Sequence, residues 1–371
     1  MKQILQFVKA QPVLVISGLA ALVTAFFIPP DREYLGYCNT TVLIELFALM
    51  AAVAGLRSVG LFELISQKLL KGAGTVRRLG MIFMLLCFFS SMLVTNDVAL
   101  LTFVPLTILV FHEIEGVDEK HRIFVIILET AAANLGSMLT PIGNPQNLYL
   151  FDKYKLTALD FLKTMSLPGI TGLICLFLLL LFLPKQPCRA AERSPEPVSK
   201  SQTAVFAAIF AVCLLAVFRA VPDWVCLIAA VVGTVFVNWR LLGKVDYALL
   251  ATFVFFFIFV GNIGRIEAVR SFTSSILTGR EVLVSAILSQ GISNVPAAVM
   301  LADFTDKGTS LLLGADIGGF GTIIASLASL ISFQIYRQEE DARPMRYLLR
   351  FSAVNFGLLA VLLTLALIFQ K

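Results

Sequence analysis

Apolar runs of about 17–28 residues alternate along this chain with short polar clusters, the pattern of helices that cross a bilayer. The runs near 12–29, 41–58, 123–150, 164–184, 203–219, 223–239, 247–262, 309–336 and 347–370 are long enough to span. Two others, around 79–111 and 281–304, are interrupted centrally by polar residues. Each is left with two arms too short to cross, so each is expected to be a re-entrant helical hairpin that enters and leaves on one side. Within 123–150 the string Asn134-Leu-Gly-Ser-Met-Leu-Thr-Pro-Ile-Gly-Asn-Pro-Gln-Asn147 is too rich in proline, glycine and asparagine for a lipid-facing helix. Proline removes a backbone donor and blocks the carbonyl four residues back, so the helix must open near Thr140 to Asn144. The run 309–336 carries a counterpart at Gly318-Gly319 through Thr322. The expected fold is an all-α polytopic membrane protein with about nine transmembrane spans, two re-entrant helical hairpins and two broken helices.

Composition narrows the classes. The chain is 58% hydrophobic and only 14% charged, with a mean hydropathy of +0.89. Soluble domains average roughly 45–50% apolar and about 25% charged. No polar block is large enough for a soluble catalytic domain, and the chain is expected not to be an enzyme. Lys2 and Lys9 precede the first apolar run, but no small-residue cleavage pattern comes before Pro29-Pro30-Asp31, so a retained first span is expected. Cysteines 38, 87, 175, 188, 213 and 226 form no CxxC pair and mostly lie in apolar runs, which implies neither a disulfide framework nor a metal centre. The net charge of +5 comes from basic residues beside spans and gives no reason to expect nucleic acid.

With the N-terminus in the cytoplasm, the loops 57–78, 112–122, 185–202, 240–246 and 337–350 also fall inside. About 19 lysines and arginines then lie inside and about 10 outside, the bias expected of a multi-pass protein of the cytoplasmic (inner) membrane. Residues 185–202, with three prolines and several charges, read as the one solvated linker and divide the chain nearly in half.

The halves match each other. Thr95-Asn96-Asp97-Val98-Ala99 is followed by Asn134 through Asn144, and Ser293-Asn294-Val295-Pro296-Ala297 is followed by Asp316 through Ser326. The expected division is a first repeat over 1–184, a linker over 185–202 and a second repeat over 203–371. The first hairpin would open inward and the second outward, an inverted repeat that places a site at the midplane.

The residues expected to bind substrate or ion are Thr95, Asn96, Asp97, Asn134, Thr140, Gly143, Asn144, Asn147, Ser293, Asn294, Asp316, Gly318, Gly319 and Thr322. Asn96, Asn294 and Asn144-Pro145 each open a helical arm, and such ends aim unpaired amides at anions. Asparagine and threonine oxygens at the preceding helix ends suit a small hard cation. The bland alternative is that these side chains only cap and turn their own backbone, and Gln146 and Asn147 could serve to brace the half-helix. A carboxylate buried in the membrane must be neutral or accompanied by a cation, which makes Asp97, Glu129 and Asp316 candidates for proton coupling. For Glu45 and Glu129 a plain interhelical hydrogen bond is an equal reading.

At TNDVALLTFVPL (95–106), ANLGSMLTPIGNPQNLYL (133–150), SNVPAAVML (293–301) and GADIGGFGTIIASLASL (314–330), the chain resembles the ion transporter superfamily, specifically its ArsB/NhaD-like and citrate-transporter-like (CitMHS) permeases. The resemblance covers nearly the whole chain. It implies a scaffold region and a mobile transport region, often in a homodimer, with elevator-like alternating access. It places Thr95, Asn96 and Asp97 on the inward tip, and Ser293 and Asn294 on the outward tip. Thr140, Gly143 and Asn144 would form one unwound segment, with Gly318, Gly319 and Thr322 in the other. Dicarboxylate carriers of the superfamily typically have Ser-Asn-Thr at both tips; here the tips are Thr-Asn-Asp and Ser-Asn-Val, and Ile323 stands where the first break has Pro141.

The expected function is secondary active transport of a small anion, arsenite-like, an inorganic oxyanion or a carboxylate such as citrate. The expected coupling ion is sodium or a proton, with no other cofactor. The alternative is a sodium/proton antiporter of the same superfamily. A remote one is an intramembrane aspartyl protease using Asp97 with Asp316, although the Gly-x-Gly-Asp context is missing at Gly314-Ala315-Asp316. No GxxxxGK[ST] phosphate loop is present.

Overall fold

The computed structural model describes residues 11–62, 64–65, 74–112, 114, 118–188 and 198–369. Residues 189–197 of the expected linker, and Lys2 and Lys9, lie outside the described residues.

The first half runs α1 (Pro12–Phe27), α2 (Thr40–Ser58), α3 (Val76–Val94), α4 (Asn96–His112), α5 (Glu119–Ser137), α6 (Pro145–Lys153) and α7 (Ala158–Leu180). The second runs α8 (Lys200–Val217), α9 (Asp223–Asn238), α10 (Tyr247–Gly264), α11 (Glu267–Leu277), α12 (Glu281–Ile292), α13 (Asn294–Leu301), α14 (Gly308–Ile317), α15 (Leu327–Arg337) and α16 (Pro344–Phe369). The described residues contain no strand, only an isolated bridge between Thr75 and Pro187. Starts follow local chemistry. Asn39 and Thr75 accept the amides of Val42 and Arg78, and Thr157 with Asp160 forms a reciprocal capping box at the head of α7.

The helices pack as two groups. The hairpins α3–α4 and α12–α13, the broken pairs α5–α6 and α14–α15, and α7 and α16 lie against one another. In the other group α1 lies along α10, and α2 packs on α8 and α9. The groups meet where α2 touches α6 and α10 touches α13. Burial follows this division. α5 is buried without interruption from Val125 to Met138, whereas α9 exposes Ile228, Val232, Val235 and Phe236, an apolar face suited to lipid.

Both expected breaks and both hairpin tips are present. Among the described residues, seven helices are long and apolar enough to cross a membrane. One of them is α3, whose 19 residues exceed the short arm expected there. It continues to the Thr75 cap, so only the reversal at Thr95 marks it as a hairpin arm. The amphipathic α11 was not foreseen, because its mixed sequence between 267 and 277 reads as loop.

Close approach of backbone sets the positions of two glycines. A Cβ on Gly136 would lie 1.9 Å from the Phe88 carbonyl oxygen and 2.4 Å from Ser91 Oγ. A Cβ on Gly318 would lie 2.8 Å from the Ala286 Cα and 2.7 Å from Ser289 Oγ. Phe88 and Ser91 stand seven and four residues before the first tip residue, Thr95, and Ala286 and Ser289 stand likewise before Ser293. The same hairpin-on-break contact is thus made twice.

Candidate functional site

The two tips are built alike. Thr95 and Ser293 each reverse the chain with φ near +75°, and each is followed at once by a helix that starts with asparagine. The amide of Asn96 donates to the Gly143 carbonyl at 3.3 Å, and the amide of Asn294 donates to the Ala325 carbonyl at 2.9 Å. Gly143 and Ala325 are the last residues of the two breaks before Asn144 and Ser326, so each tip is tied to one break at the same place. Behind the tips, the hydroxyl of Thr140 donates to the Met92 carbonyl at 2.5 Å and that of Thr322 to the Gln290 carbonyl at 2.9 Å. Each threonine therefore caps the end of a hairpin arm whose last carbonyls have no helical partner.

The freed carbonyls of the breaks are also served by side chains. Asn147 donates from Nδ2 toward the carbonyls of Ser137 and Thr140, at 3.1 and 3.2 Å. Gln290 reaches from the hairpin to the carbonyls of Gly318 and Phe320, both at 2.9 Å, and its Oε1 accepts the Thr322 amide. Asn147 is therefore first a brace of the unwound segment. Gln290 had no signal in the sequence beyond its place three residues before a tip.

Hydrogen bonds between the halves lock the breaks together. Asn134 Oδ1 accepts from Asn96 Nδ2 at 3.0 Å and from Ser326 Oγ at 3.1 Å, while its Nδ2 donates to Ser329 Oγ at 3.3 Å. Asp316, which takes the Asn134 position in the second break, accepts from Gln146 Nε2 at 2.9 Å. Gln146 and Ser326 were not among the expected site residues. Their signal is positional, since Gln146 follows Asn144-Pro145 and Ser326 aligns with Asn144.

Four helices, α4, α6, α13 and α15, begin around one small cavity lined by Asn96, Asp97, Asn144, Pro145, Gln146, Asn294, Val295, Ser326 and Leu327. Its volume of about 10 Å³ is room for one water molecule or ion. Around this junction, Asp316 Oδ2, Gln146 Oε1, Asn147 Oδ1 and Ser293 Oγ are buried with no hydrogen-bond partner. Such atoms are costly unless something pairs with them, and all four are oxygens, the donor type a hard cation takes. The aligned helix N-termini add a positive field at the same place, which favours negative charge. The junction therefore combines anion-favouring amides with cation-type oxygen donors around a space for one ion.

A larger cavity, about 720 Å³, leads up to the first tip. Thr95 and Asp97 line it, together with Val98, Ile142 and Pro145, and its charged groups are Arg57, Lys244, Asp97 and Asp246. Arg57 also donates to the Leu101 carbonyl at 3.1 Å. Its sequence position, at the end of an apolar run, had placed it in a loop.

Of the expected residues, Asn96, Asp97, Asn144 and Asn294 line the small cavity, and Thr95 with Asp97 faces the larger one. Asn134, Thr140, Asn147 and Thr322 hold the tips and breaks, while Gly143, Gly318 and Gly319 bring backbone close, Gly319 against the Asn294 side chain. Ser293 and Asp316 are buried at the junction. Glu129 is not part of it: it lies on α5 about 7.5 Å along the axis from Asn134. Asp97 and Asp316 do not form a carboxylate pair; the charged neighbour of Asp97 is Asp246, and Asp316 is held by amide side chains. The protease arrangement is not assembled.

The chain is similar to an uncharacterized transporter of Methanocaldococcus jannaschii, 33% identical over 329 residues that cover 88% of this chain and 89% of that protein. It is 30% identical to the inner membrane protein YbiR of Escherichia coli over 326 residues, 85% of this chain and 86% of that one. Among solved structures, the YdaH transporter of Alcanivorax borkumensis shares the fold, with a TM-score of 0.55 at 14% identity over 91% of this chain and 88% of the other. The family model described as citrate transporter matches residues 4–307. By that match and by its relatives, this multi-pass membrane protein is a transporter belonging to the citrate transporter (CitMHS) family.

Proposed function

We propose that this chain is a secondary active transporter that moves a small anion, foremost a carboxylate of the citrate kind, across the cytoplasmic membrane by ion-coupled alternating access. The observation that carries the reading is the convergence of four helix N-termini on one ion-sized cavity at the end of a wider, partly cationic vestibule. An anion entering past Arg57 and Lys244 meets aligned amides that favour its charge. A sodium ion or proton neutralises the Asp316 carboxyl beside it, and the unpartnered oxygens there support this role. The mobile part in this reading is the group formed by the hairpins, the broken helices, α7 and α16, sliding as an elevator against α1, α2 and α8–α10 in each subunit of a homodimer. The halves 1–184 and 203–371 act as inverted repeats, which the repeated tip-to-break bonds support, and the N-terminus lies in the cytoplasm in this reading.

The test is uptake of labelled citrate, succinate, arsenite or sulfate by proteoliposomes under an imposed proton or sodium gradient. Accumulation of one anion under one gradient supports the proposal and names the pair. Uptake of none of them, with the protein shown to be inserted and folded, overturns it. The all-oxygen set of orphaned atoms favours one second reading, a sodium/proton antiporter. In everted vesicles with an acidic interior, that reading requires alkalinisation on adding sodium or lithium alone.

A further inference from the structure

Glu129 takes no part in the site described above. It is fully buried, its Oε1 accepts from Thr107 Oγ1 at 2.7 Å and lies 3.8 Å from Cys87 Sγ, and its Oε2 has no partner. No ion pair among the described residues includes it. Ionised, it would be a buried charge with no cation paired to it; as the neutral acid it leaves one hydroxyl unbonded, a far smaller penalty. A carboxyl of this kind in a membrane interior is expensive to keep without a use.

A set of hydroxyls lies on the neighbouring helices, none of them bonded to the Glu129 carboxyl except Thr107. Thr130, the next residue, has Oγ1 2.8 Å from Ser332 Oγ, and Ser332 Oγ is 3.1 Å from the Tyr347 hydroxyl. Tyr347 stacks on Tyr336, with ring centroids 5.1 Å apart, and the Tyr336 hydroxyl donates to Glu119 at 2.5 Å. Glu119 pairs with Arg343 and Arg346 at the end of the molecule that carries the basic loop. In the other direction Ser329, one turn before Ser332, bonds Asn134, which holds the first tip and the second break together. The titratable groups facing Glu129 are Cys87 from α3 and Tyr347 from α16. The helix α4 brings only Thr107, α15 brings Ser332 and, beyond Tyr347, Tyr336, and α7 packs on α5 at Leu135 and Leu139, away from the carboxyl.

We propose that Glu129 is a proton-carrying site of this transporter, separate from the tip cavity, so that transport is coupled to protons. This rests on the transporter reading above. One proton binds the carboxylate and one leaves it in each cycle, with only an O–H bond made and broken. The charge left on deprotonation appears on the same helix as Asn134, about 7.5 Å along its axis, which is how protonation can bias the tips.

Infrared difference spectroscopy of the purified protein in lipid, titrated with pH, tests the site without any substrate. The carboxylic-acid carbonyl band of the wild type should include a component that disappears in Glu129→Gln, persists in Asp316→Asn, and shifts its midpoint in Thr107→Val, where the stabilising donor to the carboxyl is gone. In proteoliposomes, the ratio of proton-driven citrate accumulation to citrate exchange should fall at least about tenfold in Glu129→Gln. An unchanged infrared titration in folded Glu129→Gln, or an unchanged ratio, overturns the proposal. Failure of the wild type to move citrate under any gradient would overturn the substrate reading alone, and the infrared titration would still decide the fate of Glu129.

Discussion

Thr95 and Ser293 hold the same unfavourable backbone, φ 74° and ψ 152° at one, φ 75° and ψ 154° at the other. That region is essentially reserved for glycine and costs another residue about 1–3 kcal/mol. Each pays it at the residue before the asparagine of a hairpin tip, where the reversal lets the next amide reach a break carbonyl. Ser293→Gly and Thr95→Gly are each expected to raise thermal stability by about 1 kcal/mol, after the larger chain entropy of glycine is counted, and to slow transport by loosening the tip. Melting curves of the purified variants check this; a lower melting temperature in both would mean that the surroundings, not the residue, favour the turn.

Gly136 is pressed against the Phe88 carbonyl. Gly136→Ala should destabilise by about 1–3 kcal/mol, because backbone at both ends must move to admit the methyl group. Gly291→Ala, with nothing within 4 Å of its Cβ, serves as the control. Folded yield by size exclusion and melting temperature should separate the two variants.

Asn144 and Asn294 line the ion-sized cavity, and Gln146 is the donor to Asp316. Asn144→Ala and Asn294→Ala are each expected to abolish coupled transport while membrane insertion persists. Gln146→Leu should do the same by removing the Nε2 donor to the buried Asp316 carboxyl. Wild-type accumulation in any one of the three would remove that residue from the site.

Arg57 and Lys244 are the cationic groups of the vestibule. If the cargo is an anion, Arg57→Gln should raise KM several-fold at low salt and much less at high salt, since the lost contribution is long-range steering that salt screens. For a sodium/proton antiporter the same change should leave KM for sodium unchanged or lower it. Uptake kinetics at two ionic strengths distinguish the cases.

Outside the membrane spans, Arg122 grips Asp341 with two bonds of 2.6 and 2.7 Å and also contacts His112. Partial burial pushes the Asp341 carboxyl up, but the Arg122 bonds, with Arg122 and His112 charge, outweigh it and hold the group below the usual carboxylate range. A carboxyl lowered in the folded state adds stability above its unfolded value and loses it as pH falls through the folded one. The melting-temperature advantage of wild type over Asp341→Asn should thus be level near neutral pH and shrink below about pH 4. An advantage independent of pH would show that the contact works through packing.

Much of this was legible in the linear chain. Proline and glycine in otherwise apolar runs marked both breaks, because backbone groups freed at membrane depth need partners wherever they occur. The paired Asn motifs marked both tips for the same reason. Arm lengths were less legible: α3 is long enough to span, and only its reversal at Thr95 makes it half of a hairpin. Gln290 and Arg57 carried no signal, and Gln146 only that of a possible brace, because nothing local distinguishes a bracing glutamine or a vestibule arginine from one that faces solvent.

By itself the sequence determined that the chain is a helical membrane protein, where its helices open, and that the tip and break motifs recur, since these follow from hydrophobic run length and from the donors and acceptors each residue carries. Tertiary structure alone decided that Asn134 of one half meets Ser326 of the other, that Gln146 meets Asp316, and that four helix starts share one ion-sized space. Those pairings join residues more than 150 positions apart. They are set by how two packed groups of helices pass one another, which no local propensity specifies.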